Sequence, residues 1–346
     1  MDVLSARVGT AGPVGTHRAS VSVVVPLFNE EEVLPDFHRR LSVVLDAIDA
    51  ESEIPYVNDG SSDRTMALLT EMHARDPRAA VIELSRNFGK EVAMSAGLDA
   101  ARGDAVIVID ADLQDPPELI PEMLRKWRDG NDVVVMRRRS RAQESWLKKT
   151  TARAFYRAMG RMATVDMPEN VGDFRLLSRR AAAALRQFPE RTRFMKGLFA
   201  WIGFPSTEIE YDRDGRFAGA SKWNYWRLWN FAIEGITSFS VGPLKLASYV
   251  GFFTSVAAFA FGLKFIIKTL LYGDPVAGFP TLVTVVLFLG GLQLMALGVI
   301  GEYLARMFIE VKQRPLYLVQ RYLPSEAPIA ASEEPHPGRA SRWPSR

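Results

Sequence analysis

A chain of 346 residues, 48% hydrophobic and 24% charged, can bury a full core and still have residues left for a second region. Its net charge of +3 is too small to argue for a nucleic-acid partner. There is no cysteine, which excludes disulfides, zinc thiolate sites and cysteine nucleophiles, and His17, His38, His73 and His336 have no metal-ligand spacing.

Residues 1–19 are rich in Gly, Ala and Thr and lack the long apolar core of a signal peptide, so they read as a disordered, cytoplasmic lead-in. From Val21 the chain alternates: a VSVVVPL strand, a helix over 31–49, an EIPYV strand, a helix over 63–75, an AAVIEL strand, a helix over 91–101. An AVIVID strand, a helix over 117–128 and a DVVVM strand follow. Strands alternating with helices predict βαβ units and a parallel sheet, hence an α/β domain. Asp63 after Ser61 and Ser62, and Pro116 and Pro117 before Glu118, mark two helix starts, the second with Asp115 as its expected cap.

Beyond the last of these strands, Arg137, Arg138, Arg139, Arg141, Lys148, Lys149, Arg153 and Arg157 crowd together. They suit an anionic lipid surface or a phosphate ligand, although the later ones also read as a solvated helix face. Trp223, Tyr225, Trp226 and Trp229 then crowd a predicted helix, which fits either an in-plane helix at the lipid headgroups or a buried aromatic cluster. Residues 246–263 and 281–301 carry no charge, and about 20 helical residues span about 30 Å, so both segments can cross a membrane; a pair of buried core helices is the competing reading. Lys264 and Lys268 can snorkel, extending the first helix to Tyr272. The GDPVAGFP linker holds no Lys or Arg, whereas Arg227, Lys245, Arg306, Lys312, Arg314 and Arg321 flank the other side, which places both termini in the cytoplasm. Residues 324–346, rich in Pro, Ser, Ala and Glu, read as a flexible tail.

The chemistry concentrates in AVIVIDADLQDPPE, where a buried strand delivers Asp110, Asp112, Gln114 and Asp115 to the sheet edge at which open α/β folds bind ligands. Hard oxygen donors at alternating positions suit Mg²⁺ or Mn²⁺ that also takes oxygens from a substrate's phosphates, so a nucleoside diphosphate is the expected ligand. PLFNEEE and NDGSSD follow the first two strands where a dinucleotide fold would place G-x-G-x-x-G, and no G-x-x-x-x-G-K-[ST] occurs. Polar groups in those loops suggest readout of a base and ribose, while Asp59 also reads as a turn residue before Gly60.

PLFNEEE, VNDGSSD, the Asp-x-Asp-x-Gln of DADLQD, GDFRLLSRR and RFAGASKW occur in an order that resembles glycosyltransferase family 2, in particular its membrane-bound polyisoprenyl-phosphate branch of bactoprenol glucosyltransferases, undecaprenyl-phosphate aminoarabinose transferases and, more distantly, dolichol-phosphate mannose synthase. The resemblance spans 20–323 and includes FLGGLQLMALGVIGEYLARM and RPLYLV. It implies a GT-A, Rossmann-like domain over 20–215, an acceptor loop and amphipathic helices over 216–243, two transmembrane helices within 244–310 (246–272 and 280–303) and a cytoplasmic tail over 311–346. It implies an inner-membrane enzyme that moves a sugar, with inversion, from a nucleotide sugar to polyprenyl (undecaprenyl) phosphate; UDP-glucose is the first candidate donor, ahead of other UDP-hexoses and GDP-mannose. By the same resemblance Pro26, Asn29, Glu30, Asp59 and Asp110 bind the nucleotide sugar, and Asp110, Asp112 and Gln114 hold Mg²⁺ or Mn²⁺. Asp112 and Asp173 are catalytic, and Arg138, Arg141, Arg216 and Lys222 meet the acceptor phosphate. Family members often carry Asp where Asn58 stands, and Asp173 matches a proposed base that some mannose synthases replace with Ser, so it reads as an aligner of the acceptor or as a structural partner of Arg175. Two helices per chain allow self-association into the tetramer known in the bactoprenol branch. A processive polysaccharide synthase would carry Q-x-x-R-W, which is missing, and a noncatalytic lipid-binding subunit would not need to gather these acids.

Overall fold

The computed structural model describes residues 18–139, 171–191, 193, 195–212, 242–272 and 278–329. The described elements in chain order are β1 (Ser20–Leu27), α1 (Leu34–Ala47), β2 (Glu51–Asn58), α2 (Thr65–Arg75), β3 (Ala79–Leu84), α3 (Lys90–Ala100), β4 (Ala105–Val108), α4 (Ile120–Arg128) and β5 (Val133–Arg138). There follow β6 (Val171–Ser178), α5 (Arg179–Arg186), α6 (Met195–Trp201), β7 (Ser206–Tyr211), α7 (Gly242–Tyr272), α8 (Phe279–Lys312) and β8 (Val319–Leu323).

The expected mostly parallel α/β sheet is present, with eight strands in the order β7-β5-β6-β4-β1-β2-β3-β8. β1 is buried along its whole length, as an apolar run covered on both faces must be. Its alternation sorts two cores: Val21, Val23 and Val25 pack with Phe37 and Leu41 of α1, and Val24 packs with Met94 and Leu98 of α3. α3 lies so close to the sheet that a Cβ at Gly97 would come within 2.2 Å of Val24 Cγ1. α2 starts at Thr65, two residues after the expected Asp63, whose Oδ1 accepts from Thr65 N at 3.0 Å and satisfies a backbone donor the helix leaves open.

Three strands were not read from the sequence. β6 runs antiparallel between β4 and β5, β7 runs parallel to β5, and β8 pairs antiparallel with β3. β8 lies inside the segment expected to be a tail, and the residues after it are packed as well: Ile329 is buried and Glu326 N donates to Pro77 O. Short, polar β8 gives no alternating signal of its own; the paired edge of β3 supplies its hydrogen bonds.

α7 and α8, of 31 and 34 residues, lie against each other and are long and apolar enough to cross a membrane, about 46 and 51 Å at 1.5 Å per residue. They are not core helices, since neither candidate span is buried. Both run past the expected ends, α8 by several residues up to Lys312. Because β8 rejoins the sheet that β1 to β3 began, the chain leaves for the helix pair and returns to the same body. The lead-in over 1–17, the acceptor loop and Trp-rich segment, and the tail from 330 lie outside the described residues.

Candidate active site

Register builds the centre of the site. β4 and β6 pair Val108 with Arg175 antiparallel, and continuing that register two residues past β4 puts Asp110 opposite Asp173. Both lie beyond the C-terminal ends of the parallel strands, the open edge where α/β sheets bind ligands. Lys90, the first residue of α3, joins them: its Nζ donates to Asp110 Oδ2 at 2.7 Å and to Asp173 Oδ2 at 2.6 Å. Burial works against the Lys90 charge, but the two carboxylates more than offset it and hold its pKa above the usual lysine value. Burial also pushes Asp173 up, and Lys90 with Lys196 overcome this and hold its carboxyl well below the usual range. The other Asp173 oxygen, Oδ1, is buried with no hydrogen-bond partner.

The loop before Lys90 is positioned by Asp59. Its Oδ1 accepts from Phe88 N at 2.7 Å and its Oδ2 from Gly89 N at 2.9 Å, with Gly89 at φ 99°, a conformation glycine adopts without strain. Gly60 lets this loop approach: a Cβ there would lie 2.5 Å from Arg86 C. The carboxylate expected to read a base is thus engaged in shaping the turn that aims Lys90. Asn29, at φ 55°, ties the loop after β1 to the loop after β2, its Oδ1 accepting from Ser62 N at 2.8 Å while its N donates to Ser61 Oγ at 3.0 Å. Glu30 N donates to Thr65 Oγ1 at 3.0 Å, and Pro26 is buried in β1 opposite Val57.

After Asp110 the chain turns through Leu113, a buried residue at φ 59°. That left-handed conformation is an outlier for a bulky side chain and marks a backbone held for a reason. Next to it Asp112 Oδ1 accepts from Gln114 N at 3.1 Å, and Gln114 Oε1 is buried without a partner. Asp115 does not cap the following helix. Its Oδ1 accepts from Tyr211 OH, whose oxygen accepts from Arg138 Nε at 3.4 Å, so β7 links the acidic loop to the arginine at the end of β5.

Comparison with known proteins decides the family. The glycosyl transferase family 2 model matches residues 22–186. An uncharacterised glycosyltransferase of Synechocystis is 51% identical over 311 residues, covering 88% of this chain and 98% of that protein. The chain belongs to glycosyl transferase family 2. A prophage-derived bactoprenol glucosyl transferase of Shigella flexneri is 46% identical over 87% of this chain and 97% of its own, and a prophage bactoprenol glucosyl transferase homologue of Escherichia coli is 44% identical over 87% and 98%. Among solved structures, glucosyl-3-phosphoglycerate synthase of Mycobacterium tuberculosis with Mn²⁺ and UDP-glucose is 19% identical, with a TM-score of 0.41 over 63% of this chain and 77% of that one, a likeness too distant to carry a site residue across.

In this family 2 glycosyltransferase the structure gathers Asp110, Asp112, Gln114, Asp173 and Arg138 around the ends of β4, β5 and β6, with Asn29, Glu30 and Asp59 on the neighbouring loops. Arg141, Arg216 and Lys222 lie outside the described residues. Arg175 does not pair with the Asp173 carboxylate: it donates to Gly172 O at 2.7 Å and lies 3.7 Å from the centre of the Phe199 ring, and burial pushes it down to about 10. Missed from the sequence were Lys90, Tyr211 and Glu91. Glu91 is raised to about 7 by burial and by Asp173, while its Oε2 accepts from Met195 N at 3.2 Å. Lys90 left one usable signal: a lysine in the first turn of a helix opposes the helix dipole, so its charge needs another partner.

Among the described residues no three His, Asp or Glu side chains gather to cage a metal by themselves. The donors present nevertheless fit Mg²⁺ or Mn²⁺ sharing its shell with phosphates: all are oxygens, and the buried Gln114 Oε1 is a carbonyl acceptor with nothing to accept from.

Proposed function

We propose that this family 2 glycosyltransferase moves a sugar from a nucleoside-diphosphate donor, with UDP-glucose the first to try, to a polyprenyl phosphate at the cytoplasmic face of a membrane. One observation carries the reading: the chain shares nearly the full length of enzymes named bactoprenol glucosyl transferase, at 44–46% identity. The oxygens of Asp110, Asp112 and Gln114 support a site for Mg²⁺ or Mn²⁺, which when bound would stabilise negative charge on the leaving diphosphate.

The chain's own groups account for the rest. A lipid monophosphate, by analogy with other phosphate monoesters of second pKa about 6, is largely dianionic near neutral pH and needs no strong base. Its oxygen attacks the anomeric carbon in line as the bond to the diphosphate breaks, so an α-linked donor gives a β-linked lipid phosphosugar and a nucleoside diphosphate. Because the acceptor phosphate is already largely dianionic, Asp173 is not required as a base and serves to align the acceptor. Arg138, half-buried and steadied by Tyr211, offers a planar donor fork suited to the acceptor phosphate. In this reading α7 and α8 hold this edge at the depth of a lipid headgroup, and the return of β8 to the sheet supports a hairpin with both flanks on one side of the membrane.

Purified full-length protein is to be incubated with undecaprenyl phosphate and separate UDP-hexoses or GDP-mannose, with and without chelator, and the lipid product identified by mass. A glycolipid formed from UDP-glucose and suppressed by chelator is expected. No glycolipid from any donor overturns the acceptor assignment, and full turnover in chelator overturns the metal.

A further inference from the structure

We infer that Lys90 is a displaceable internal cation: its ammonium holds Asp110 and Asp173 together while the donor site is empty and gives way when a divalent cation enters with the nucleotide. The inference rests on the reading of Asp110 as a metal-facing carboxylate. Four observations carry it. Register forces the two acids to face each other at the edge of the sheet, where neither is well solvated: the side chains keep 21% and 14% of their exposure. Two such carboxylates repel strongly unless a cation lies between them, and the Lys90 Nζ occupies that place, 2.7 and 2.6 Å from their oxygens.

The lysine is also built to move. Its side chain keeps 44% exposure and it is the first residue of α3, so the ammonium can swing on its four-carbon stem while the backbone stays where Asp59 holds it. Meanwhile Asp173 Oδ1 and Gln114 Oε1 are buried acceptors without partners, leaving capacity that one ammonium does not fill. A purely structural ion pair has no need of either feature. Lys90 is thus a positioning residue that lets the site be charge-balanced both empty and loaded.

Metal affinity tests this directly. Because Lys90→Met alone leaves two facing carboxylates and can fail to fold, the comparison is Lys90→Met/Asp173→Asn against Asp173→Asn, both full-length in detergent, with folding checked by thermal unfolding. Free Mn²⁺ is counted by electron paramagnetic resonance without nucleotide and again with UDP. The double variant is expected to bind Mn²⁺ at least tenfold more tightly without nucleotide, and Lys90→Arg in the Asp173→Asn background to restore weak binding. Equal or weaker Mn²⁺ binding by the double variant, with UDP-supported binding intact in both, overturns the role of Lys90 alone. No Mn²⁺ binding in any chain, UDP present or not, overturns both this role and the metal site itself.

Discussion

Asp110 and Asp173 face each other across the ends of β4 and β6 and share one ammonium, that of Lys90. A site assembled this way separates two kinds of acid. Asp110 and Asp173 are held by the fold and by their shared counterion, whereas Asp112, next to Leu113 in the loop, accepts from Gln114 N two residues on at 3.1 Å.

That separation makes Asp112 the cleaner target. Asp112→Asn keeps an oxygen able to accept from Gln114 N, so folding and membrane insertion should be preserved while the charge is lost. Transfer is expected to fall by about a hundredfold or more, the size of losing a charge-stabilising group in the transition state. The measurement is glycolipid formed per minute beside a thermal melt, and unchanged output would falsify the metal-centred reading.

Glu91 gives a pH dependence. Burial and Asp173 raise its carboxyl from the ordinary 4.5 to about 7, so between those values the folded protein binds the extra proton. The stability this contributes is complete below about pH 4.5 and is lost as pH rises through 7. Glu91→Gln, which keeps the acceptor for Met195 N, has no proton to lose. Denaturant midpoints from pH 5 to 8 should show the wild type losing on the order of 2 kcal/mol more than the variant, the full linkage being trimmed by screening at a half-buried position. Parallel curves would show that Glu91 does not titrate there.

Tyr211 couples the acidic loop to Arg138. Tyr211→Phe removes the hydroxyl from buried Asp115 and from the Arg138 side chain, and a buried carboxylate left short of a donor costs about 1–3 kcal/mol. Arg138→Ala spares that hydrogen bond to Asp115. Both should raise the KM for lipid acceptor several-fold more than that for the nucleotide sugar. If steady-state kinetics show the nucleotide KM moving instead, Arg138 belongs to the donor side.

The C-terminal strand is part of the catalytic body. Truncation after Arg314 removes β8, exposes the β3 edge, and takes away Tyr317, whose OH donates to Asp99 Oδ2 at 2.7 Å, and Ser325, which accepts from Arg102 at 2.6 Å. A bare edge strand invites association, so size-exclusion profiles in detergent should shift toward aggregates and the melting temperature should fall. A monodisperse, equally stable truncation would assign β8 a role apart from stability.

Much of this was legible because the signals are local. A charge-free run long enough to span a bilayer, an apolar strand such as AVIVID and an acid-rich loop after it each report their own state. β6 was not legible as a strand because its hydrogen bonds come from β4 and β5, and β8 was not because β3 supplies its partner. Asp115 was misassigned as a cap for the same reason: Tyr211, far along the chain, competes for the carboxylate and wins it.

By itself, the sequence determined the alternation of strands and helices, the two membrane-length helices and the gathering of Asp110, Asp112 and Gln114 in one loop, because periodicity and short spacing are properties of neighbouring residues. Only the tertiary structure decided that Asp173 faces Asp110, that Asp59 shapes the loop before α3 and that Lys90 lies between the two acids. Those relationships depend on strand order and register, which are settled by the packing of whole elements and leave no mark at any single position.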